Sequence, residues 1–224
     1  MHRIGIIDDN LAEVDDIQAT IYTVWTKSNE APNEVDFKHY TLTSTPDFKG
    51  KLLNDLLCDI ETQTIQSLIV DYKLDSIRTV IEGKDIVEFL RAEVPFFPVV
   101  ILTNAPQGSK QEETIDPDKV YDKRSFFDLN SSASADMALK IYFNIKRYIN
   151  RRASLEQELA VALEEFTSKP GADVDIDLLA KISRTEEALG DYTITDQTTA
   201  EKALDLTELR EIIRELQAIE NNVE

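Results

Sequence analysis

The sequence predicts an α/β protein with a doubly wound, five-stranded parallel sheet followed by an α-helical extension. Three observations support this fold class. Short apolar runs rich in β-branched residues alternate with segments whose apolar residues recur every three or four positions, which is the pattern of strands joined by helices. Acidic or hydroxyl residues stand at the ends of several of these runs. The last third of the chain keeps the helical spacing.

The first half of the chain contains three predicted strands and two predicted helices. The strands occupy Arg3–Asp8, Val35–Leu42 and Ser67–Asp71. The helices each have one apolar face with spacings of three and four residues, at Leu11–Val24 and Leu52–Ile60. The continuous apolar run of the third strand is typical of a parallel sheet that is covered on both faces.

The second half supplies the remaining strands. A short helix is predicted at Gly83–Val94, followed by strands at Pro98–Asn104 and Lys119–Lys123. A long helical pattern begins near Ser134. Parallel strands joined by helices take right-handed crossovers, so all five strands are expected to end at one edge of the sheet.

Five polar residues stand at the ends of predicted strands: Asp8, Asp9, Asp71, Thr103 and Lys123. Ligands of open α/β sheets collect at the carboxyl ends of the strands, so we expect these side chains to converge. Crowded carboxylates repel one another, and Mg²⁺, which prefers oxygen ligands, relieves that repulsion. An aspartate held beside Mg²⁺ and a lysine can attack an electrophilic phosphorus and form an acyl phosphate.

This set of residues resembles the receiver domain of bacterial two-component response regulators, and the resemblance covers residues 1–150. It implies a flavodoxin-like sheet with the strand order 2-1-3-4-5. It also implies that Asp71 is the phosphoacceptor. The implied Mg²⁺ site consists of the carboxylates of Asp8, Asp9 and Asp71 and the backbone carbonyl of Lys73.

The resemblance also implies how the site is used. Thr103 matches the switch hydroxyl, and Lys123 matches the lysine of the receiver site. A histidine kinase, a phosphotransfer protein or a small phosphodonor would supply the phosphoryl group in a phosphorelay. We expect a cytoplasmic phosphoprotein of signal transduction rather than an enzyme, with an output directed at another protein.

Several positions depart from the family pattern. The segment 72–83 is longer than the usual loop after the acceptor, and Arg124 replaces the proline that usually follows the lysine. Val120 stands at the aromatic switch position, with Tyr121 next to it, and Asn104 is bulkier than the usual alanine. We therefore expect switching that does not depend on the rotation of an aromatic side chain.

The composition limits the partners. The chain has 224 residues, with 24 Lys and Arg against 43 Asp and Glu, and a net charge of −19. Residues 151–224 hold 8 basic and 18 acidic residues, a net charge of −10, and residues 1–150 hold the remaining −9. Such a chain repels nucleic-acid backbones and anionic lipid, so neither nucleic acid nor membrane is expected as a partner. The single cysteine, Cys58, fits a reducing cytoplasm.

Residues 151–224 are predicted to form an acidic α-helical extension that continues from the fifth receiver helix. The long helix is expected to break at Pro170–Gly171, and a second helix to end at Gly190. A last helix carries an apolar stripe, Leu206–Ile219. Because a lone amphipathic helix is marginal in water, we expect these helices to pack within the chain. A homodimer through the C-terminal helices, or a docking face for another protein, is the alternative.

Other interpretations stay open. Asp8, Asp9 or Asn10 could cap the first helix, and Asp71 could be a turn residue. A pseudo-receiver would be an interaction module that is never phosphorylated, and a phosphate sink would drain a kinase without an output. A phosphatase with an aspartate nucleophile is less favoured, because the haloacid-dehalogenase type has Asp-x-Asp after its first strand, whereas this chain has Asp-Asp-Asn.

Overall fold

The computed structural model describes residues 2–28, 31, 34–43, 45, 47–74, 81–104, 106, 116–168 and 176–194. All of these except Ile194 belong to one compact unit, Met1–Thr193. The predicted helix break at Pro170–Gly171 and the predicted stripe Leu206–Ile219 lie outside the described residues.

The sheet has five parallel strands in the order β2-β1-β3-β4-β5, which confirms the predicted fold class. The register places Asp71 beside Leu102 and Thr103 beside Asp122. It therefore brings the ends of β3, β4 and β5 to a common edge. The strands are β1 His2–Ile7, β2 Val35–His39, β3 Ser67–Asp71, β4 Val99–Thr103 and β5 Val120–Asp122.

Six α-helices and one 3₁₀ turn, Pro117–Lys119, lie in the described part of the chain. Two long helices follow the sheet in sequence, where the extension was predicted. The α-helices are α1 Leu11–Lys27, α2 Phe48–Glu61, α3 Gly83–Glu93, α4 Lys123–Phe127, α5 Ser132–Ser168 and α6 Ile176–Gly190.

The last strand is shorter than the sequence indicated. Lys123 was predicted to end β5, but it is instead the first residue of α4. The reason is a helix cap: the side chain of Asp122 accepts hydrogen bonds from the Ser125 backbone N–H at 3.0 Å and from its hydroxyl at 2.9 Å. Such a cap satisfies an N–H group at the helix start and fixes where the helix begins.

One large core cluster lies between the sheet, α1 and α5. The inward face of α1 follows the predicted spacing at Ile17 and Ile21, which are almost fully buried together with Trp25, whereas Leu11 at the start of the predicted face is 66% exposed. Trp25 Nε1 also donates a 3.0 Å hydrogen bond to the carbonyl oxygen of Ala138 in α5. Each fully buried side chain of this size stabilises the fold by roughly 1.5–3 kcal/mol. This cluster therefore holds α1, and the site residues at its start, against the sheet.

The long helix α5 runs without interruption through residue 150 to Ser168. Leu159 and Ala162 of α5 pack against Leu178 and Ile182 of α6. None of the helices in the residues described above is long and apolar enough to span a bilayer.

Candidate functional site

Three of the predicted side chains meet at the carboxyl edge of the sheet. Asp8 follows β1, Asp71 ends β3 and Lys123 follows β5. Lys123 Nζ lies 2.8 Å from Asp8 Oδ2 and 3.1 Å from Asp71 Oδ2. Asp8 and Lys123 are each only 1% exposed. The structure thus brings one buried ammonium group between the carboxylates of two neighbouring strands.

Glu13 completes this group, and the sequence analysis did not single it out. It lies in the first turn of α1, and its carboxylate contacts the ammonium group of Lys123. Its position in the sequence could have indicated this. A helix that begins immediately after β1 places its first turn near the same edge of the sheet. Its side chain is 25% exposed, against 1% for Asp8 and 12% for Asp71.

The three carboxylates form a cluster with the chemistry of a cation site. Asp8, Glu13 and Asp71 each offer one carboxylate oxygen, and these oxygens lie within 4.8 Å of one another. A set made only of oxygen ligands suits Mg²⁺, whose bonds of about 2.0–2.1 Å put opposite ligands about 4 Å apart. The cluster therefore offers the ligand type that Mg²⁺ prefers, and in this structure the ammonium group of Lys123 lies among the three carboxylates. Asp9, which was also predicted as a ligand, is half-buried and lies outside this group of three.

A cavity of about 280 Å³ opens beside the cluster. One water molecule occupies roughly 30 Å³ of liquid, so this space accommodates a small anion together with a hydrated cation. The remaining predicted residues, Asp9, Lys73 and Thr103, line the wall. Among the described residues, the lining consists of Asp9, Asn10, Glu13, Asp71, Lys73, Thr103 and Asn104.

A local backbone hydrogen bond holds Asp8 in place, and a weaker one reaches Asp71. Asp8 Oδ1 accepts a 2.9 Å bond from the Asn10 backbone N–H, and Asn10 Oδ1 in turn caps α1 by accepting from the Ala12 N–H at 3.1 Å. Asn10, and neither of the aspartates before it, is thus the residue that caps α1. Asp71 Oδ1 lies 3.4 Å from the backbone N–H of Lys73, a long and therefore weak contact.

The start of α3 packs directly against the backbone at the end of β3. An added Cβ at Gly83 would lie 2.1 Å from the carbonyl oxygen of Asp71, so only glycine fits there. The Gly83 N–H also donates a 3.2 Å bond to the carbonyl of Tyr72. The two ends of the unusual segment 72–83 are therefore joined next to Asp71.

Lys123 stays positively charged, and its single charge only partly offsets the negative charges of the carboxylates around it. Burial raises the pKa of Asp71 to about 6, although Lys123 opposes this. Burial also raises the pKa of Asp8, against the hydrogen bonds from Lys123 and Asn10. Burial alone would lower the pKa of Lys123, but its bonds with Asp8 and Glu13 outweigh that effect and raise it.

The two candidate switch positions in β5 are both packed. Val120 is 4% exposed and lies in a small cluster with Ile101, Tyr72 and Val87. Tyr121 is 6% exposed and belongs to the large core cluster on the other face of the sheet. Neither side chain is exposed at the surface.

No protein-family model matches this chain, and no curated protein is similar to it in sequence. A five-stranded parallel sheet in the order 2-1-3-4-5, with an acidic cluster at the strand ends, is consistent with a receiver-like fold.

Proposed function

We propose that this protein is a response-regulator-type signalling protein that accepts a phosphoryl group on Asp71 in a Mg²⁺-dependent reaction. The observation that carries the proposal is the position of Asp71. Its carboxylate lies at the wall of a cavity, 3.1 Å from the ammonium of Lys123 and beside Asp8 and Glu13. A nucleophile, a fixed cation and further oxygen ligands are the groups that phosphoryl transfer to a carboxylate requires.

In the proposed reaction, an oxygen of Asp71 attacks the phosphorus of an acyl phosphate or a phosphohistidine. A new P–O bond forms while the bond to the leaving group breaks, and the leaving group takes that electron pair. With acetyl phosphate the leaving group is acetate, so no proton transfer is needed. Mg²⁺, when bound, would neutralise charge on the phosphoryl oxygens.

The side chains around Asp71 would bind the phosphoryl group and the cation. Lys123 already contacts Asp71 Oδ2 at 3.1 Å, so its ammonium group can follow the charge onto a phosphoryl oxygen. Thr103 lines the same cavity, and its hydroxyl can donate to the phosphoryl group. Asp8, Asp9 and Asp71, with the backbone carbonyl of Lys73, would hold the cation.

The output is proposed to be a contact with another protein rather than with nucleic acid. The net charge of −19 supports this, because an acidic surface repels phosphate backbones. A kinase or phosphotransfer protein would supply the phosphoryl group in the cytoplasm. The second candidate is a pseudo-receiver that is never phosphorylated, and the contact of Glu13 with Lys123 favours it, because this contact adds a negative charge where a phosphoryl group would arrive.

Intact-mass measurement after incubation with acetyl phosphate, with and without Mg²⁺, tests the proposal. We expect the mass of one phosphoryl group to be added to the wild-type protein only when Mg²⁺ is present. The matched control is Asp71→Asn, which has nearly the same shape and is expected to gain no mass. An unmodified wild-type protein under all conditions would instead support the pseudo-receiver, and an adduct on Asp71→Asn would exclude Asp71 as the acceptor.

A further inference from the structure

The ammonium group of Lys123 has no donor to spare for an additional oxygen. A lysine offers three N–H donors and no acceptor. Three carboxylates surround Lys123 Nζ: Asp8 at 2.8 Å, Asp71 at 3.1 Å and Glu13 in direct contact. A phosphoryl oxygen that binds Lys123 must therefore take over a donor that a carboxylate already uses.

We propose that Glu13 is a positioning residue that holds Lys123 in the unphosphorylated protein and leaves it when Asp71 is phosphorylated. The inference rests on the proposed function. In the unphosphorylated protein, Glu13 accepts a hydrogen bond from Lys123 that a phosphoryl oxygen would otherwise accept. It therefore slows phosphorylation and makes the start of α1 sensitive to it.

Exposure identifies Glu13 as the carboxylate that moves. The Asp8 side chain is only 1% exposed and is held by the Asn10 N–H. Asp71 is the acceptor and cannot leave. Glu13 is 25% exposed, so its carboxylate can rotate into water, where its charge is solvated. Its side chain is also one methylene longer than that of an aspartate.

Phosphorylation of Asp71 would add negative charge beside Glu13, and this favours movement of Glu13 away from Lys123. Phosphorylation removes one negative charge from Asp71 and adds a group with a charge of about −1.5 to −2 at neutral pH. The cavity then holds more negative charge than before. A carboxylate of Glu13 that stayed on Lys123 would repel the phosphoryl oxygens across a few ångströms of partly buried space. Moving it into solvent relieves that repulsion.

Two variants separate this role from a merely structural ion pair. Glu13→Gln keeps the shape of the side chain and removes its charge, whereas Glu13→Asp keeps the charge. Asp16→Asn is the matched control, because Asp16 is an exposed acid on the same helix outside the cavity. For each protein we would measure the rate of mass gain from acetyl phosphate at saturating Mg²⁺, the affinity for Mg²⁺ by calorimetry, and the melting temperature.

We expect Glu13→Gln to be phosphorylated at least about fivefold faster than wild type, because one repelling charge is gone from the transition state. Its Mg²⁺ affinity should fall, since a carboxylate beside the cation has been removed. Opposite shifts in the two quantities cannot come from partial unfolding, which would lower both. Glu13→Asp, which keeps the negative charge, should not reach the rate of Glu13→Gln, and Asp16→Asn should stay within about twofold of the wild-type rate.

The outcomes distinguish this inference from the proposed function. Phosphorylation of wild type combined with an equal or slower rate for a folded Glu13→Gln overturns the inference and leaves the proposed function standing. Phosphorylation of Glu13→Gln on Asp71, with none on wild type, supports the inference and shows that Glu13 blocks the site. Absence of an adduct on both proteins overturns the proposed function, and the inference with it.

Discussion

At the residue scale, the edge of the sheet holds more negative charge than one lysine neutralises. Asp8, Glu13 and Asp71 all surround Lys123, and burial raises the pKa of Asp71 to about 6. A folded-state pKa above that of the unfolded chain means that the ionised carboxylate opposes folding at neutral pH. The ionised carboxylate of Asp71 thus lowers the stability of the fold at neutral pH, as we would expect of the proposed phosphorylation site.

Replacing Asp71 by Asn is therefore expected to stabilise the metal-free protein. At pH 7 with a chelator, the free energy of unfolding should rise by about 1–3 kcal/mol, because the unfavourable ionisation of a buried carboxylate is removed. Wild type gains stability as the pH falls through 6, where Asp71 becomes protonated in the folded state, so the advantage of the variant should shrink between pH 7 and pH 5. Urea unfolding at both pH values measures this. A variant less stable than wild type at pH 7 would show that Asp71 is adequately compensated.

Val120→Ala tests whether Val120, which stands at the aromatic switch position, takes part in switching. Val120 is buried against Ile101, so the substitution should lower the free energy of unfolding by about 1–2 kcal/mol through loss of packing. The rate of phosphoryl uptake should stay unchanged, whereas Thr103→Ala should lower it, because the hydroxyl is lost from the cavity wall. A Val120→Ala protein of normal stability that no longer signals would show that Val120 does take part in switching.

At the element scale, the start of α3 packs against the end of β3. Gly83 opens this helix and lies so close to the Asp71 carbonyl that a Cβ would approach to 2.1 Å. The helix begins with a capping box in which Glu82 and Asp85 bond each other's backbone N–H groups. The start of α3 and the end of β3 therefore form one local unit.

Gly83→Ala is expected to displace this unit. The clash is with a backbone atom, so the strand or the helix must shift, and the free energy of unfolding should fall by about 2 kcal/mol or more. Gly50→Ala is the matched control: Gly50 lies in α2, and an added Cβ meets nothing within 4 Å. The control should stabilise the protein by roughly 0.5–1 kcal/mol, because alanine favours helix. Equal thermal shifts for the two variants would contradict the close approach at Asp71.

The elements also show what the sequence could predict and what it could not. The meeting of Asp8, Asp71 and Lys123 was predictable, because parallel strands bring their carboxyl ends to one edge. The contact of Glu13 with Lys123 was predictable only in part: a first turn directly after β1 lies near that edge, but the helical period of α1 does not fix which side chain of the turn leans over it. The start of α4 at Lys123 was also missed, because it depends on the Asp122 side chain capping a helix of only five residues.

At the scale of the whole molecule, α5 runs from the sheet region into the predicted extension, and α6 lies within it. The α5 helix packs on α1 through Trp25 and Ala138 and continues to Ser168. The residues after α6 return to the loop before β4, where the Phe96 N–H donates a 3.1 Å bond to the Asp191 carbonyl. Helix α1, which begins beside Asp71, thus touches the same helix that forms the extension.

Tyr192 is expected to anchor the end of α6. Its ring stacks on Phe96 and Tyr148 with centroids 5.0 and 5.7 Å apart, and its carbonyl accepts a 2.8 Å bond from the Tyr148 hydroxyl. Tyr192→Ala should lower the free energy of unfolding by about 1–2 kcal/mol. Hydrogen exchange should become faster in α6, while β1 and β3 keep their protection. Tyr22→Ala, at a position 56% exposed, is the control and should leave exchange unchanged. Loss of protection throughout the sheet would show that α6 is part of the same cooperative unit.

The most direct test of phosphorylation at Asp71 is chemical mapping of the modified residue. Borohydride reduces an aspartyl phosphate to homoserine, which peptide mass spectrometry locates in the chain. After treatment with acetyl phosphate and Mg²⁺, we expect position 71 to be converted to homoserine, and no conversion when Mg²⁺ is replaced by a chelator. Conversion at a different aspartate, or at none in a protein that remains folded, would contradict the assignment of Asp71 as the phosphoacceptor.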